Sequence, residues 1–219
     1  MAGAEKTAVP RIDPVRLHAL SPGYAGDLGA HESVEGLAFT GLDLSDVDLA
    51  GLVVSECSFD EVGFSDSHLR GSSFVTCTLD RLDAPVLRAA RSRFKDLEIS
   101  RSRIGSGELY ESTFESVRFT GCKLGYLNLR GAALTDVIFE GCTIDELDLG
   151  GATGTRVAIV DSAVKALDVT RARFADVDLR GADLQTITGL EGLSGATLSE
   201  LQVSLMAAMF ARHLGIRVG

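Results

Sequence analysis

Counting in fives from Phe39 to Leu184 passes through 30 positions, and 27 of them are Phe, Leu, Ile or Val. Nine of the ten Phe stand in this register: Phe39, Phe59, Phe64, Phe74, Phe94, Phe114, Phe119, Phe139 and Phe174. No insertion breaks it, and the departures are Ala84, Ala89 and Gly154. Two residues before each centre stands a second series of small or β-branched residues, such as Cys57, Val62, Ser72, Cys77, Ser92, Ser112, Cys122, Ala132, Cys142 and Ala152. The residue just before the centre is often polar (Asp43, Asp48, Asn128, Asp148, Asp168, Asp178), and the second residue after it is often Gly (Gly41, Gly51, Gly71, Gly121, Gly131).

A period of five fits neither the 3.6-residue period of an amphipathic helix nor the two-residue period of a strand. It fits a chain that turns a corner every five residues, with one large and one small side chain pointing inward per side. Such a unit cannot bury its apolar pair alone and must stack on copies of itself. The units Leu42–Asp46 (LDLSD), Leu127–Gly131 (LNLRG), Val177–Gly181 (VDLRG) and Ala182–Thr186 (ADLQT) make residues 37–187 resemble the pentapeptide-repeat family. The resemblance implies an all-β solenoid, a right-handed quadrilateral parallel β-helix with four units per coil. Thirty units would then make about 7.5 coils and, at a strand spacing of about 4.8 Å, a rod about 36 Å long. Residues twenty apart should stack, giving a column Val54, Phe74, Phe94, Phe114, Leu134, Gly154, Phe174. Gly154 interrupts that column, so a packing gap is expected there.

The flanks divide the chain into a tail and cap (1–36), the repeat body (37–187) and a C-terminal capping and dimerisation segment (188–219). Asp13 and Pro14 read as N-cap and first residue of a short helix over Pro14–Leu20, stopped by Ser21–Gly23. That helix, or the loop after it, should cover the first coil, and residues 1–10 should be mobile. Thr197 and Glu200 have capping-box spacing, which predicts a helix over Leu198–Leu214 ended by Gly215. One face (Leu198, Leu201, Leu205, Ala208, Met209) is expected to close the last coil. The other (Val203, Met206, Ala207, Phe210, Leu214) then needs a partner, because an apolar stripe of that size is seldom left in water. That face is the candidate homodimer interface, and family members that dimerise through a C-terminal helix support it by resemblance.

Composition narrows the function. The 219 residues are 45% hydrophobic and 24% charged, ordinary for a globular chain, with a formal net charge of −10. An acidic surface disfavours direct binding to nucleic acid or an anionic membrane. No apolar run approaches the roughly 20 residues of a span, and residues 1–36 lack a signal-peptide core. The expectation is a cytoplasmic protein. Cys57 and Cys77, and Cys122 and Cys142, form two pairs one coil apart on different columns, so four ligands do not converge on a metal; they read as small reduced core residues. The four His (His18, His31, His68, His213) are scattered, and His68 occupies an outward position. The recurring Asp read as corner residues bonding local backbone rather than as acid–base pairs. No phosphate-binding glycine motif is present. No catalytic residue, cofactor or metal ligand is predicted, and the chain is read as a non-catalytic interaction protein.

The resemblance adds one specific role. The quinolone-resistance members of the family resemble duplex DNA in size and charge and bind DNA gyrase. It implies that this chain is either such a mimic, modulating quinolone susceptibility, or a scaffold for another protein partner. The candidate partner-binding face is that of Leu44, with Asp43, Asp46, Asp66, Asp83, Asp145, Glu146 and Asp183 against Arg103, Lys123 and Lys165. A mid-rod belt of Arg81, Arg88, Arg91, Arg93, Lys95, Arg101 and Arg103 interrupts the acidity. Duplex DNA has no such belt. It reads as a solvated surface with weak ion pairs or as a docking site for an acidic partner.

Overall fold

The structure, a computed structural model, describes residues 7–218. Its body is an all-parallel β-solenoid of about 9 turns closed by one C-terminal helix. The strands Ser73–Asp80, Arg93–Ser100, Thr113–Thr120, Ala133–Glu140 and Thr153–Val160 stack in parallel with a twenty-residue register, as in Phe74↔Phe94, Phe114↔Leu134 and Leu134↔Gly154. Each bends in the middle, where Thr76, Asp96, Ser116, Asp136 and Arg156 hold φ between 49 and 56°. One strand therefore covers two sides of the coil. A second sheet, from Asp83–Arg88 through Arg103–Glu108, Lys123–Asn128, Thr143–Asp148 and Ser162–Asp168 to Ala182–Thr188, forms another side.

The five-residue register becomes the core. Phe74, Phe94 and Phe114 stack with ring centroids 5.9 and 4.8 Å apart, and Phe119 lies on Phe139 at 4.7 Å. The small inward column is hydrogen-bonded along the axis: Ser92 Oγ accepts from Ser72 N at 3.1 Å, and Ser112 Oγ accepts from Ser92 N at 3.0 Å. Where Gly154 breaks the aromatic column, an apolar cavity of about 20 Å³ opens, lined by Leu134, Gly154, Phe174 and their neighbours.

The stack is longer than the repeat. Ser21–Pro22 pairs with Leu37–Ala38, and Ala196–Thr197 pairs with Val177–Asp178, so both flanks add partial coils of irregular length. Exposed ladder edges are what these additions cover. At the first coil, Leu28 is buried, and a Cβ on Gly23 would run into the Phe39 ring. The loop after Leu20 thus caps the rod.

The helix expected over Pro14–Leu20 does not form. Residues 7–20 run extended, against the direction of coil growth, along the edge where the eight-residue strands bend. The amide of Ala8 donates to Asp176 at 2.9 Å, that of Arg11 to Asp136 at 2.8 Å and that of Val15 to Glu98 at 3.1 Å. Carboxylates of the rod thereby take donors that a helix would have used, and Pro10 and Pro14 supply none. Val9, Arg11 and Asp13 are exposed while Pro10 and Ile12 are half-buried, a two-residue alternation that shifts phase at exposed Pro14 and half-buried Val15. Ala158, at an outward position, is also buried. Of the segment expected to be mobile, residues 1–6 lie outside the described residues, and Thr7–Pro10 belong to the strap.

The helix α1 (Glu200–His213) begins two residues later than expected. Ser199, not Thr197, is the N-cap, and its partner is Gln202: Ser199 Oγ accepts from Gln202 N at 3.2 Å and Ser199 N donates to Gln202 Oε1 at 2.7 Å. Thr197 is held in the last strand pair instead. This phase sets which side closes the rod. Gln202 Nε2 donates to the carbonyls of Leu179 and Ala182, both at 2.8 Å, and Met206, Met209 and Phe210 follow on the same side against the core. Met206 and Phe210, expected at the dimer interface, close the last coil. Leu201, Leu205 and Ala208, expected to close it, face water.

Candidate interaction faces

Outward positions repeat every twenty residues, so each side of the rod carries three columns of side chains about 4.8 Å apart. The residue before each core centre serves the corner, as its repetition suggests. Asp43 accepts from Ser45 N at 3.0 Å, Asn128 from Arg130 N at 3.2 Å, Asp148 from Gly150 N at 2.9 Å and Asp168 from Thr170 N at 2.8 Å. Both bonds from Ser45, side chain first, hold the Asp43 carboxyl below its ordinary value.

The seven acids of the Leu44 side do share a face, but not as one stripe. Asp43, Asp46, Asp66 and Asp83 occupy its first coils; Asp145, Glu146 and Asp183 occupy its last. Between them the ladder reads Asp83↔Arg103↔Lys123↔Thr143. Asp66 is paired with Arg88 at 2.6 Å and Asp145 with Lys165 at 2.5 Å; Asp46, Asp83, Glu146 and Asp183 are exposed.

Six of the seven belt cations are matched by carboxylates on their own or adjacent coils. Arg81 meets Asp60 at 2.6 Å and Glu61 at 3.0 Å, Arg91 meets Glu111 at 2.6 Å, and Lys95 meets Glu115 at 3.0 Å with Arg93 at 3.8 Å from the same side chain. Arg101 pairs with Asp80, whose carboxyl is pulled below the usual range first by that arginine's hydrogen bond. Arg88 is the sixth. Such exposed pairs contribute about 0–1 kcal/mol each, but they cancel charge locally. Arg103 has no carboxylate within 4.0 Å among the described residues, and neither does Lys123 on the next coil.

A tighter cluster stands on the adjoining side. Asp148, nearly inaccessible, accepts from Arg130 Nη1 at 2.8 Å and from the Tyr126 hydroxyl at 3.3 Å. Burial, then the Asp148 charge, pushes the Tyr126 hydroxyl above its ordinary value. This network locks Arg130 over Gly150 and leaves the carboxylate no free approach. The cysteines are all buried and free, and burial pushes the Cys77 thiol up to about 12. His68 is exposed beside Asp48 and Arg88 in the ladder. Among the described residues no group of three or more His, Cys, Asp or Glu could hold a metal, and no helix is long and apolar enough to cross a membrane.

Of the five residues proposed for dimerisation, Val203, Ala207 and Leu214 remain exposed. Leu201, Leu205, Ile216 and Val218 join them, with Leu205 76% and Leu201 68% exposed. The exposed apolar surface centres on Leu201 and Leu205 rather than on Met206 and Phe210. The phase comes from Ser199, which competes in sequence with Thr197 as a cap.

The described residues form a parallel β-solenoid of stacked five-residue units whose outward charges differ from side to side. Residues 112–152 match the family model described as pentapeptide repeats, in 8 copies, and they are the middle of one register that the structure carries unbroken in both directions. No curated protein matches the chain. Among solved structures it is similar to full-length QnrB1, a plasmid-mediated fluoroquinolone resistance protein, at 20% identity over 83% of this chain and 91% of that one, with a TM-score of 0.40. It is also similar to HetL, a pentapeptide repeat protein involved in heterocyst differentiation regulation from the cyanobacterium Nostoc, at 16% identity over 78% and 90%, with a TM-score of 0.35. At these values neither likeness carries an argument about what this chain binds.

Proposed function

We propose that the chain is a non-catalytic protein-interaction rod that binds a protein partner through its side faces and pairs with a second copy through its C-terminal segment. The carrying observation is the charge ladder: outward residues sit at a fixed spacing on a stacked backbone, most cations are cancelled by a carboxylate of a neighbouring coil, and each side is left with its own pattern. A rigid surface of that kind recognises a partner by charge complementarity with little ordering cost. The test is a photo-crosslinking residue placed at Asp46, Glu146 or the opposite-side Thr113 of the full chain in cells. Crosslinks to one protein from one side support the reading; equal absence of crosslinks from every side contradicts it. For the second copy, mass measured by light scattering should fall to that of one chain in Leu205→Glu/Leu214→Glu.

A second reading, the gyrase-binding DNA mimic, gains from the pairing of the belt, which leaves the Phe39 side with no unmatched arginine among Arg81, Arg101, Arg118 and Arg180. It loses from Arg103 and Lys123, which split the Leu44 side. Titration into a gyrase supercoiling assay separates the two. Inhibition that disappears in Asp145→Lys/Glu146→Lys favours mimicry through the Leu44 side, and no inhibition removes it.

A further inference from the structure

The split in the Leu44 side is also a notch. The outward column there reads Pro85, Gly105, Gly125, Asp145, so two successive coils present bare backbone. The glycines are required sterically: a Cβ on Gly105 would come within 2.5 Å of the Pro85 carbonyl oxygen, and one on Gly125 would run into the carbonyl oxygen of Gly105. The resulting groove, about 460 Å³, is lined by Arg103, Ile104, Gly105, Lys123, Gly125 and Asp145 among others. The groove is open to solvent and its bare floor spans two coils, more than a single oxyanion needs to cover.

Steric need accounts for the glycines but not for the cations. Arg103 departs from the rule that the other six belt cations follow, and Lys123 stands beside it in the ladder with no carboxylate in reach among the described residues. The acids that could have neutralised them are disposed otherwise. Asp145 at the far rim is held by Lys165 at 2.5 Å, and Asp83, directly adjacent in register, does not reach Arg103. Two exposed cations on neighbouring strands, whose backbones lie about 4.8 Å apart, stand beside a side-chain-free floor and form a positive site on a chain of net charge −10.

We propose that this notch is a docking site for an acidic, extended segment of a protein partner, with a carboxylate bridging Arg103 and Lys123 and the segment's backbone lying over Gly105 and Gly125. Charge complementarity selects the occupant, and the length of the bare floor selects a segment over an ion. The proposal rests on the interaction-rod reading and names one contact of that rod.

The experiment follows amide resonances of the isotope-labelled full chain during titration with an oligoglutamate peptide, with inorganic phosphate and oligolysine as separate arms. The Gly105 and Gly125 amides should shift with oligoglutamate, and Arg103→Ala/Lys123→Ala should weaken that binding about tenfold while leaving the remaining resonances in place. Both substitutions are at exposed positions, so the fold is retained. Phosphate shifting the same amides at the same concentration would replace the segment by a plain anion site. Shifts that persist in the double variant, or no shift at all, would overturn the notch. Crosslinks from another side together with silence here would sink this contact and leave the rod reading standing.

Discussion

Asp136 is the point where the strap, the corner and a neighbouring coil meet, and its loss should be felt at all three. The residue is 8% exposed and accepts from the Arg11 amide at 2.8 Å and from Arg156 Nε and Nη2, both at 2.6 Å. Removing one partner of a buried, doubly bonded pair costs about 3–5 kcal/mol. Arg156 is partly exposed and can regain water, so the lower end, about 3 kcal/mol, applies to Asp136→Ala. Its φ of 56° adds about 1 kcal/mol, since Ala tolerates the left-handed region less well than Asp. Asp136→Asn removes that strain from the comparison and should cost about 2 kcal/mol through the lost charge.

For a chain of this size each kcal/mol moves the melting midpoint by about 2–4 °C, so Asn should lower it by about 4–8 °C. Repeat rods open locally, however, and strap release can precede melting. The sharper assay is hydrogen exchange at the Arg11 amide with tryptic cleavage after Arg11 and Arg16, both of which should accelerate in Asp136→Asn. A midpoint within about 1 °C of the parent with unchanged exchange at Arg11 would refute the strap as a stabilising element. The Arg156 hydrogen bond, first among several causes, holds the Asp136 carboxyl below its unfolded value. A depressed carboxylate contributes stability above the unfolded value, about 3.9, and loses it as pH falls through the folded one. Strap release is therefore expected on acidification below about pH 4.

Three further outcomes follow from the core. Phe114→Ala removes a ring stacked at 4.8 Å on Phe94 and should cost about 3–5 kcal/mol in denaturant unfolding, with the charge ladders unchanged in the surviving folded fraction. Gly154→Ala should stabilise by about 0.5–1 kcal/mol, because its φ is not left-handed and the existing cavity gives Phe174 and Val177, 3.1 and 3.3 Å from the new methyl, room to move aside; a loss of stability would show that they cannot yield. The four thiols should resist a water-soluble thiol reagent at neutral pH until the chain unfolds, since all four are buried out of its reach.

The five-residue register made the core legible down to single residues, because every side of every coil faces the same local problem. Gly154 could be named as a gap, and the Asp before each centre as a corner residue, on that ground alone. What escaped was non-local. The strap depends on Asp176, Asp136 and Glu98 lying in a line that exists only after the coils stack, so Asp13 and Pro14 looked like a helix start when read alone. The irregular end coils carry no repeat to count. The helix phase turned on a choice between Thr197 and Ser199 that only the last strand pair decides. The acids of the Leu44 side were placed on their face by spacing, but which belt cations would be cancelled was a matter of side-chain reach between coils. That reach left Arg103 and Lys123 over.

The rod and its side-chain ladders depend on twenty-residue stacking, and one distance measures it. Val53 and Thr153 lie in one outward column, linked through the register pairs Val53↔Ser73↔Arg93↔Thr113↔Ala133↔Thr153. Five coil steps at about 4.8 Å place them about 24 Å apart. Spin labels on cysteines introduced at these two positions should give a narrow distance distribution centred near that value, broadened by the label arms, with the buried native thiols unlabelled. A broad distribution, or a maximum beyond about 35 Å, would contradict the stacked rod and with it the ladders on which the proposed interactions depend.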